Sequence, residues 1–206
     1  MVGAMIFGKR SKQVVGLDIG SSAIKLVELK KKGGDYVVEK MGFSALSSEA
    51  IVDGAVMDAT MVVDTIGGLV NRLGVKNPSF GISISGHAVI IKRITLPVMS
   101  EDELRESIQW EAESNIPFNI NEVNLSYQYL GDEGDGQNMS VLLVASKKDK
   151  VTDYTSVVTQ AGKAAVLVDV DAFALQNCFE VCHGANPSEV VALINLGASV
   201  MNFNIL

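Results

Sequence analysis

Val14-Val15-Gly16-Leu17-Asp18-Ile19-Gly20-Ser21-Ser22, followed by Ile24 to Lys30, reads as a buried strand, a tight turn of glycine and small hydroxyl residues, and a returning strand. The pattern recurs in degraded form at the other end. Val190-Val191-Ala192-Leu193-Ile194 leads into Asn195-Leu196-Gly197-Ala198-Ser199, and Val200 to Leu206 returns. One small-residue hairpin used twice points to a phosphate clamp, because a residue without a Cβ lets backbone N–H groups approach an anion closely. Two such turns facing each other would hold a nucleotide's phosphates between them. Asp18 is then placed to hold a hydrated Mg²⁺. Asn195 stands where the first copy has Asp18, so the clamp carries one carboxylate fewer.

With 206 residues, 48% of them hydrophobic, the chain can bury a sizeable core in one or two domains. The net charge of -7 argues against a duplex nucleic-acid binder, which needs a basic stripe to displace counterions from phosphates. The densest basic stretches, Lys9-Arg10-Ser11-Lys12 and Lys30-Lys31-Lys32, read as solvated surface. For the first, the neighbouring Met5-Ile6-Phe7 adds the sharper reading of a weak contact with anionic lipid headgroups. No apolar run approaches the roughly 20 residues of a membrane helix, and no signal peptide is evident, so a cytoplasmic chain without a transmembrane segment is expected, with Met5 a natural start. Cys178 and Cys182 share a helix face at a spacing that fits no zinc site, and buried, reduced thiols are expected. His87 and His183 have no paired ligands, and no Walker A motif appears.

Between the two hairpins, Tyr36 to Phe43 reads as a third antiparallel strand. Asp58 caps a helix carrying Met61, Val62, Ile66, Leu69, Val70 and Leu73 at helical spacing, and Gly74 ends it. Ile82 and Ile84, the turn Gly86-His87 and the run Ala88 to Leu96 predict a β-hairpin. Ser100 with Glu103 predicts a capping box and a helix over 101–115, stopped by Pro117. On that helix Leu104, Ile108 and Ala112 form the core stripe, whereas Trp110 projects about 120° or more away among Glu103, Glu106 and Glu113. An off-stripe tryptophan needs a second surface, either a neighbouring element or a partner segment that it anchors. Two strands, Val123 to Leu130 and Met139 to Ala145, flank the acidic, glycine-rich loop 131–136, which lacks the ligand spacing of an EF-hand. A helix from about Lys148 to Ala161 follows. Ala165 to Asp171 is an apolar strand ending in carboxylates before another helix, a layout in which Asp171 serves a ligand beyond the strand's carboxyl end or caps the helix.

Two such hairpins separated by strand, carboxylate and helix resemble the actin-like ATPase superfamily. The ordered set Val15 to Leu29, Leu96-Pro97 leading to Glu103-Leu104, Glu111-Ala112-Glu113 before Ile116-Pro117-Phe118, and Asp169 to Leu175 is similar to the FtsA-related PilM family of type IV pilus assembly, from about Ile6 to the last residue. The resemblance implies an α/β fold: an actin-like, ribonuclease H-like first lobe over 5–99 and 165–187, a small inserted α+β interaction subdomain over 100–164, and the start of an incomplete second lobe at 188–206. It places Asp18, Gly20, Ser21, Ser22 and Lys25 in a first phosphate loop. Asn195, Gly197, Ala198 and Ser199 fall in the second, and Asp171 in the connecting segment as the catalytic candidate.

The implied cofactors are ATP and Mg²⁺, with Asp18 nearest the metal. The implied partners are the cytoplasmic N-terminal peptide of the inner-membrane protein PilN, seated in a groove between lobe and insert, and other type IV pilus inner-membrane components and motor proteins. The implied location is cytoplasmic, peripheral to the inner membrane. Asn195 departs from the acidic residue common in the superfamily's second loop, so a nucleotide-binding scaffold is expected in place of an efficient ATPase. Without the rest of the second lobe, this chain alone is expected to bind nucleotide poorly. Two rivals remain open: a small-molecule kinase with Asp171 as general base, and an actin-like filament former.

Overall fold

The computed structural model describes residues 13–134, 136–184 and 188–206. Met5-Ile6-Phe7, the basic stretch Lys9-Arg10-Ser11-Lys12 and Asp135 of the acidic loop lie outside them. The chain divides into two compact units, one of Met1–Gly86 with Thr152–Leu206 and one of His87–Val151.

In chain order the elements are β1 (Val15–Ile19), β2 (Ala23–Lys32), β3 (Asp35–Ala45), the short β4 (Ile51–Val52) and β5 (Ala55–Val56), α1 (Ala59–Leu73), β6 (Ser79–Ile84) and β7 (Val89–Pro97). There follow α2 (Glu101–Asn115), β8 (Val123–Asp132), β9 (Asn138–Lys147), α3 (Lys148–Gln160), β10 (Ala164–Val170), α4 (Asp171–His183), β11 (Ala192–Leu196) and β12 (Met201–Ile205).

The first unit is built on a five-stranded sheet in the order β10-β6-β1-β2-β3. β1, β2 and β3 pair antiparallel as the sequence predicts, while β6 and β10 run parallel to β1. Alternation along the strands sets the faces. Val15, Leu17 and Ile19 of β1, Ile24 and Leu26 of β2, and Phe80, Ile82 and Ile84 of β6 are buried, whereas Gly16, Asp18 and Lys25 point the other way. The buried core includes Val62, Ile66, Leu69 and Val70 of α1. That helix begins where Asp58 accepts the Met61 N–H at 2.9 Å and ends at Gly74 in the left-handed region, φ 61°. It lies close on β3: a Cβ at Gly42 would come within 3.2 Å of both Leu73 methyls.

The predicted hairpin of Ile82 to Leu96 does not form, because its two halves belong to different cores. β6 buries its apolar residues in the first unit, while Ile94 and Leu96 of β7 join a cluster with Leu104, Ile108 and Ala112 of α2 and Met139, Val141 and Leu143 of β9. Gly86, at φ 82°, is therefore the crossover between units. The inserted unit accordingly starts at His87, not at 100, and gains β7 as a third strand in the order β7-β9-β8. It ends at Val151, not at 164, and the remainder of α3 contributes Tyr154, Val157 and Val158 to the first unit's buried residues.

α2 starts with the predicted capping box. Ser100 accepts the Glu103 N–H at 3.3 Å, and the Glu103 carboxylate accepts the Ser100 N–H at 2.8 Å. Those bonds hold the Glu103 carboxyl below its ordinary value. Ile116, in extended conformation ahead of Pro117, ends the helix.

One charge lies within the first unit's apolar face. Glu28 of β2 is 8% exposed, and its Oε2 has no hydrogen bond. The Lys40 ammonium, opposite it in register on β3, stands 3.4 Å away and also donates to the Gly74 carbonyl at the end of α1. Lys40→Met leaves that carboxylate uncompensated. The substitution is expected to cost about 2 kcal/mol, discounted for the partly exposed lysine, and urea denaturation with an unchanged midpoint contradicts this pairing.

Candidate functional site: two apposed glycine turns

The strand register gives both turns the same construction. Ile19 pairs Ile24 across the first and Leu196 pairs Met201 across the second. The Gly20 N–H donates to the Ala23 carbonyl at 3.1 Å, and the Gly197 N–H donates to the Val200 carbonyl at 3.0 Å. Space requires glycine at Gly197, where a Cβ would lie 2.7 Å from the Val200 oxygen, and favours it at Gly20, where a Cβ would lie 3.1 Å from the Ala23 oxygen. At each tip, the N–H groups of Ser21 and Ser22 and of Ala198 and Ser199 have no backbone acceptor among the described residues. Such N–H groups suit an anion.

The two turns meet. Ser21 Oγ lies 2.9 Å from Ser199 Oγ, so the two hairpins are in contact at their tips. Behind them, the cross-strand pair differs between copies. Lys25 Nζ donates to Asp18 Oδ2 at 2.6 Å in the first, while Asn195 pairs Asn202 at the equivalent register position in the second. Lys25 thus returns to its own strand pair, and Asp18 holds an ammonium where Mg²⁺ is expected. Among the described residues, no group of three or more His, Cys, Asp or Glu side chains is placed to hold a metal ion.

Asp171 is the first residue of α4, and the N-cap is Val170, which makes no side-chain cap bond. The capping role considered for Asp171 is therefore absent. Its Oδ2 instead accepts from Asn202 Nδ2 at 3.3 Å, while Asn204 Nδ2 donates to the Ala172 carbonyl at 3.4 Å, so β12 is tied to the start of α4. Burial raises the Asp169 carboxyl, against the Val170 N–H that donates to it at 2.8 Å. Asp18, Lys25 and Asp169 also line a cavity of about 810 Å³ on the sheet face bearing Gly16, with Phe43 and Gly81 among its walls. That volume is in the range of small-ligand sites.

Tyr154 of α3 donates to the Gly54 carbonyl at 3.0 Å. Its hydroxyl is pushed up to about 12 by burial first, and then by the negative charges of Asp171, Asp18 and Asp153. Asn202, Tyr154 and Asp169 are site residues that motif reading missed. Asn202 was findable as the register counterpart of Lys25; no local motif marks Tyr154. Trp110 lies in the other unit and is 73% exposed, so among the described residues the packing surface considered for it does not cover it. Cys178 and Cys182 are exposed free cysteines where buried thiols were expected, because only Phe173 of α4 is buried.

A ribonuclease H-type sheet bearing one glycine turn, a second glycine turn apposed to it on the separate β11-β12 hairpin, and an α+β insert after β6 define the class: this is an actin-like ATPase fold. Residues 16–206 match the family described as type IV pilus assembly protein PilM. The chain belongs to that PilM family. It is similar to a solved PilM-PilN type IV pilus biogenesis complex, at TM-score 0.83 and 26% identity, over 96% of this chain and 59% of that chain. It thus spans less than two thirds of that relative's length. It is also similar to the cytoplasmic domain of EpsL, an inner-membrane component of the type II secretion system of Vibrio cholerae, at TM-score 0.54 and 9% identity, over 93% and 70% of the two chains. That second likeness is one of fold alone.

The burial of Tyr154, and after it the nearby carboxylates, set an alkaline dependence. A tyrosine whose folded pKa is raised gives stability that is complete below the unfolded pKa near 10 and is lost as pH rises to about 12. The loss is expected to be roughly 2 kcal/mol. Tyr154→Phe should flatten this part of the stability curve, and Asp171→Asn should shrink it. Equal slopes in urea denaturation between pH 9.5 and 12 for all three proteins contradict the placement of the carboxylates.

Proposed function

We propose that this chain is the nucleotide-binding part of a cytoplasmic scaffold of type IV pilus assembly, and that it grips the cytoplasmic N-terminal tail of a PilN-type inner-membrane protein. The observation that carries the nucleotide half is the contact of the two turns at Ser21 and Ser199. Their free tip N–H groups and Gly20, Gly197, Ser22 and Ala198 fit the phosphates of ATP, with Lys25 as the nearest cation. Mg²⁺, carried in with the nucleotide, would neutralise phosphate charge next to Asp18, where it competes with Lys25. Asp171, hydrogen-bonded to Asn202, is the candidate to position a water. With Asn195 in place of a second carboxylate, holding ATP is favoured over hydrolysing it.

The partner half is supported by family membership and by the likeness to a PilM-PilN complex over 96% of this chain. Among the described residues no helix is long and apolar enough to cross a membrane. A location at the inner membrane through a partner agrees with that, as does contact with other pilus inner-membrane and motor components.

Pull-down of the chain on an immobilised PilN tail peptide, with and without Mg-ATP, tests this reading. Capture that is displaced by the free peptide is expected in both conditions. Failure of capture in both overturns the partner assignment.

A further inference from the structure

α2 is poorly supplied with cations. Glu101, Asp102, Glu103, Glu106, Glu111 and Glu113 share it with one basic residue, Arg105, whose guanidinium is 3.3 Å from both Glu101 and Asp102. Glu103 is held by Ser100 in the capping box. Among the described residues, Glu106, Glu111 and Glu113 form no ion pair. Asp102 and Glu106 are like charges at i,i+4, a spacing that weakens a helix by a few tenths of a kcal/mol.

Trp110 stands within this acidity. At 100° per residue, Glu106 four positions before it and Glu113 three after it lie beside the indole, with Glu103 seven before. All four are exposed, Trp110 by 73%, on the side of the helix away from buried Leu104, Ile108 and Ala112. An indole face attracts a desolvated ammonium or guanidinium more strongly than any other ring, and carboxylates on its flank add charge-assisted hydrogen bonds.

We propose that the Glu103, Glu106, Trp110 and Glu113 face of α2 is a docking surface for an extended basic segment of a partner protein, with an arginine or lysine seated on Trp110 between Glu106 and Glu113. Charge complementarity selects this occupant. An anionic lipid surface or a nucleic acid is repelled by the carboxylates, and a purely apolar segment would strip them of water without replacing it. The face spans about 15 Å from Glu103 to Glu113, the reach of roughly four or five extended residues. The inference stands on α2 alone and does not rest on the nucleotide or PilN assignments.

Trp110 is the one tryptophan of the chain, so its fluorescence reports this face directly. Titration with a hexa-arginine peptide at low salt is expected to change the emission saturably and to weaken steeply as salt is raised. Glu106→Gln with Glu113→Gln should weaken binding about tenfold, a difference of about 1.4 kcal/mol. Glu49→Gln with Glu189→Gln, which removes the same charge from the other unit, should leave affinity within about twofold. Trp110→Ala, followed by calorimetry, should also weaken binding while leaving the melting temperature unchanged, since the side chain is exposed. Far-UV circular dichroism checks that each variant is folded. No saturable change in the native chain, or equal weakening by the two double substitutions, overturns the proposal.

Discussion

The antiparallel register of β1 and β2 is the constraint on which the site depends. With Leu17 opposite Leu26 and Ile19 opposite Ile24, the apolar residues of both strands enter the core, and Asp18 and Lys25 are left together on the other face. A slip of one residue would turn one of the two strands over, burying either Asp18 or Lys25 and exposing the apolar side chains of that strand. Core burial and site geometry are therefore specified by the same pairing. The turn closes between Ile19 and Ile24, where Gly20 has room for no Cβ that does not press on the Ala23 carbonyl.

β11 and β12 repeat this register with different chemistry. Where the first hairpin has an acid and a base in contact, the second has two asparagines, and Asn202 turns its amide to Asp171. Neutral amides bridge strand and helix without adding a charge beside the phosphate-fitting turns. The carboxylates near the turns are thus held by distinct partners: Asp18 by Lys25, Asp171 by Asn202 and Asp169 by the Val170 N–H. Tyr154 feels two of them through its raised hydroxyl pKa.

Local signals carried much of the architecture. The Asp58 cap, the Ser100 and Glu103 capping box, the αL glycine at Gly74 and the period-two strands all read correctly, because each is decided within a few residues. The errors arose where partners are distant in sequence. Ile82 and Ile84 alternate as a hairpin strand would, yet nothing local says that β6 pairs β1 and β10 while β7 pairs β9. The same blindness placed the insert at 100–164 instead of His87–Val151. At the site, the glycines and serines were legible from the repeat, but the Lys25 to Asp18 contact and the Asn202 to Asp171 bond depend on register and on the approach of β12 to α4. Trp110 was recognisable as an outlier, and only burial shows that it is left 73% exposed among the described residues.

The account turns on the two glycine turns standing tip to tip, since separated turns form no phosphate clamp. Disulfide trapping measures this directly. With Cys178 and Cys182 replaced by serine, Ser21→Cys and Ser199→Cys bring thiols to positions whose hydroxyl oxygens are 2.9 Å apart. The account predicts an intramolecular crosslink, formed rapidly under mild oxidation and visible by mass spectrometry of the monomer. Thiols that stay reduced, or that crosslink only between molecules, would contradict it.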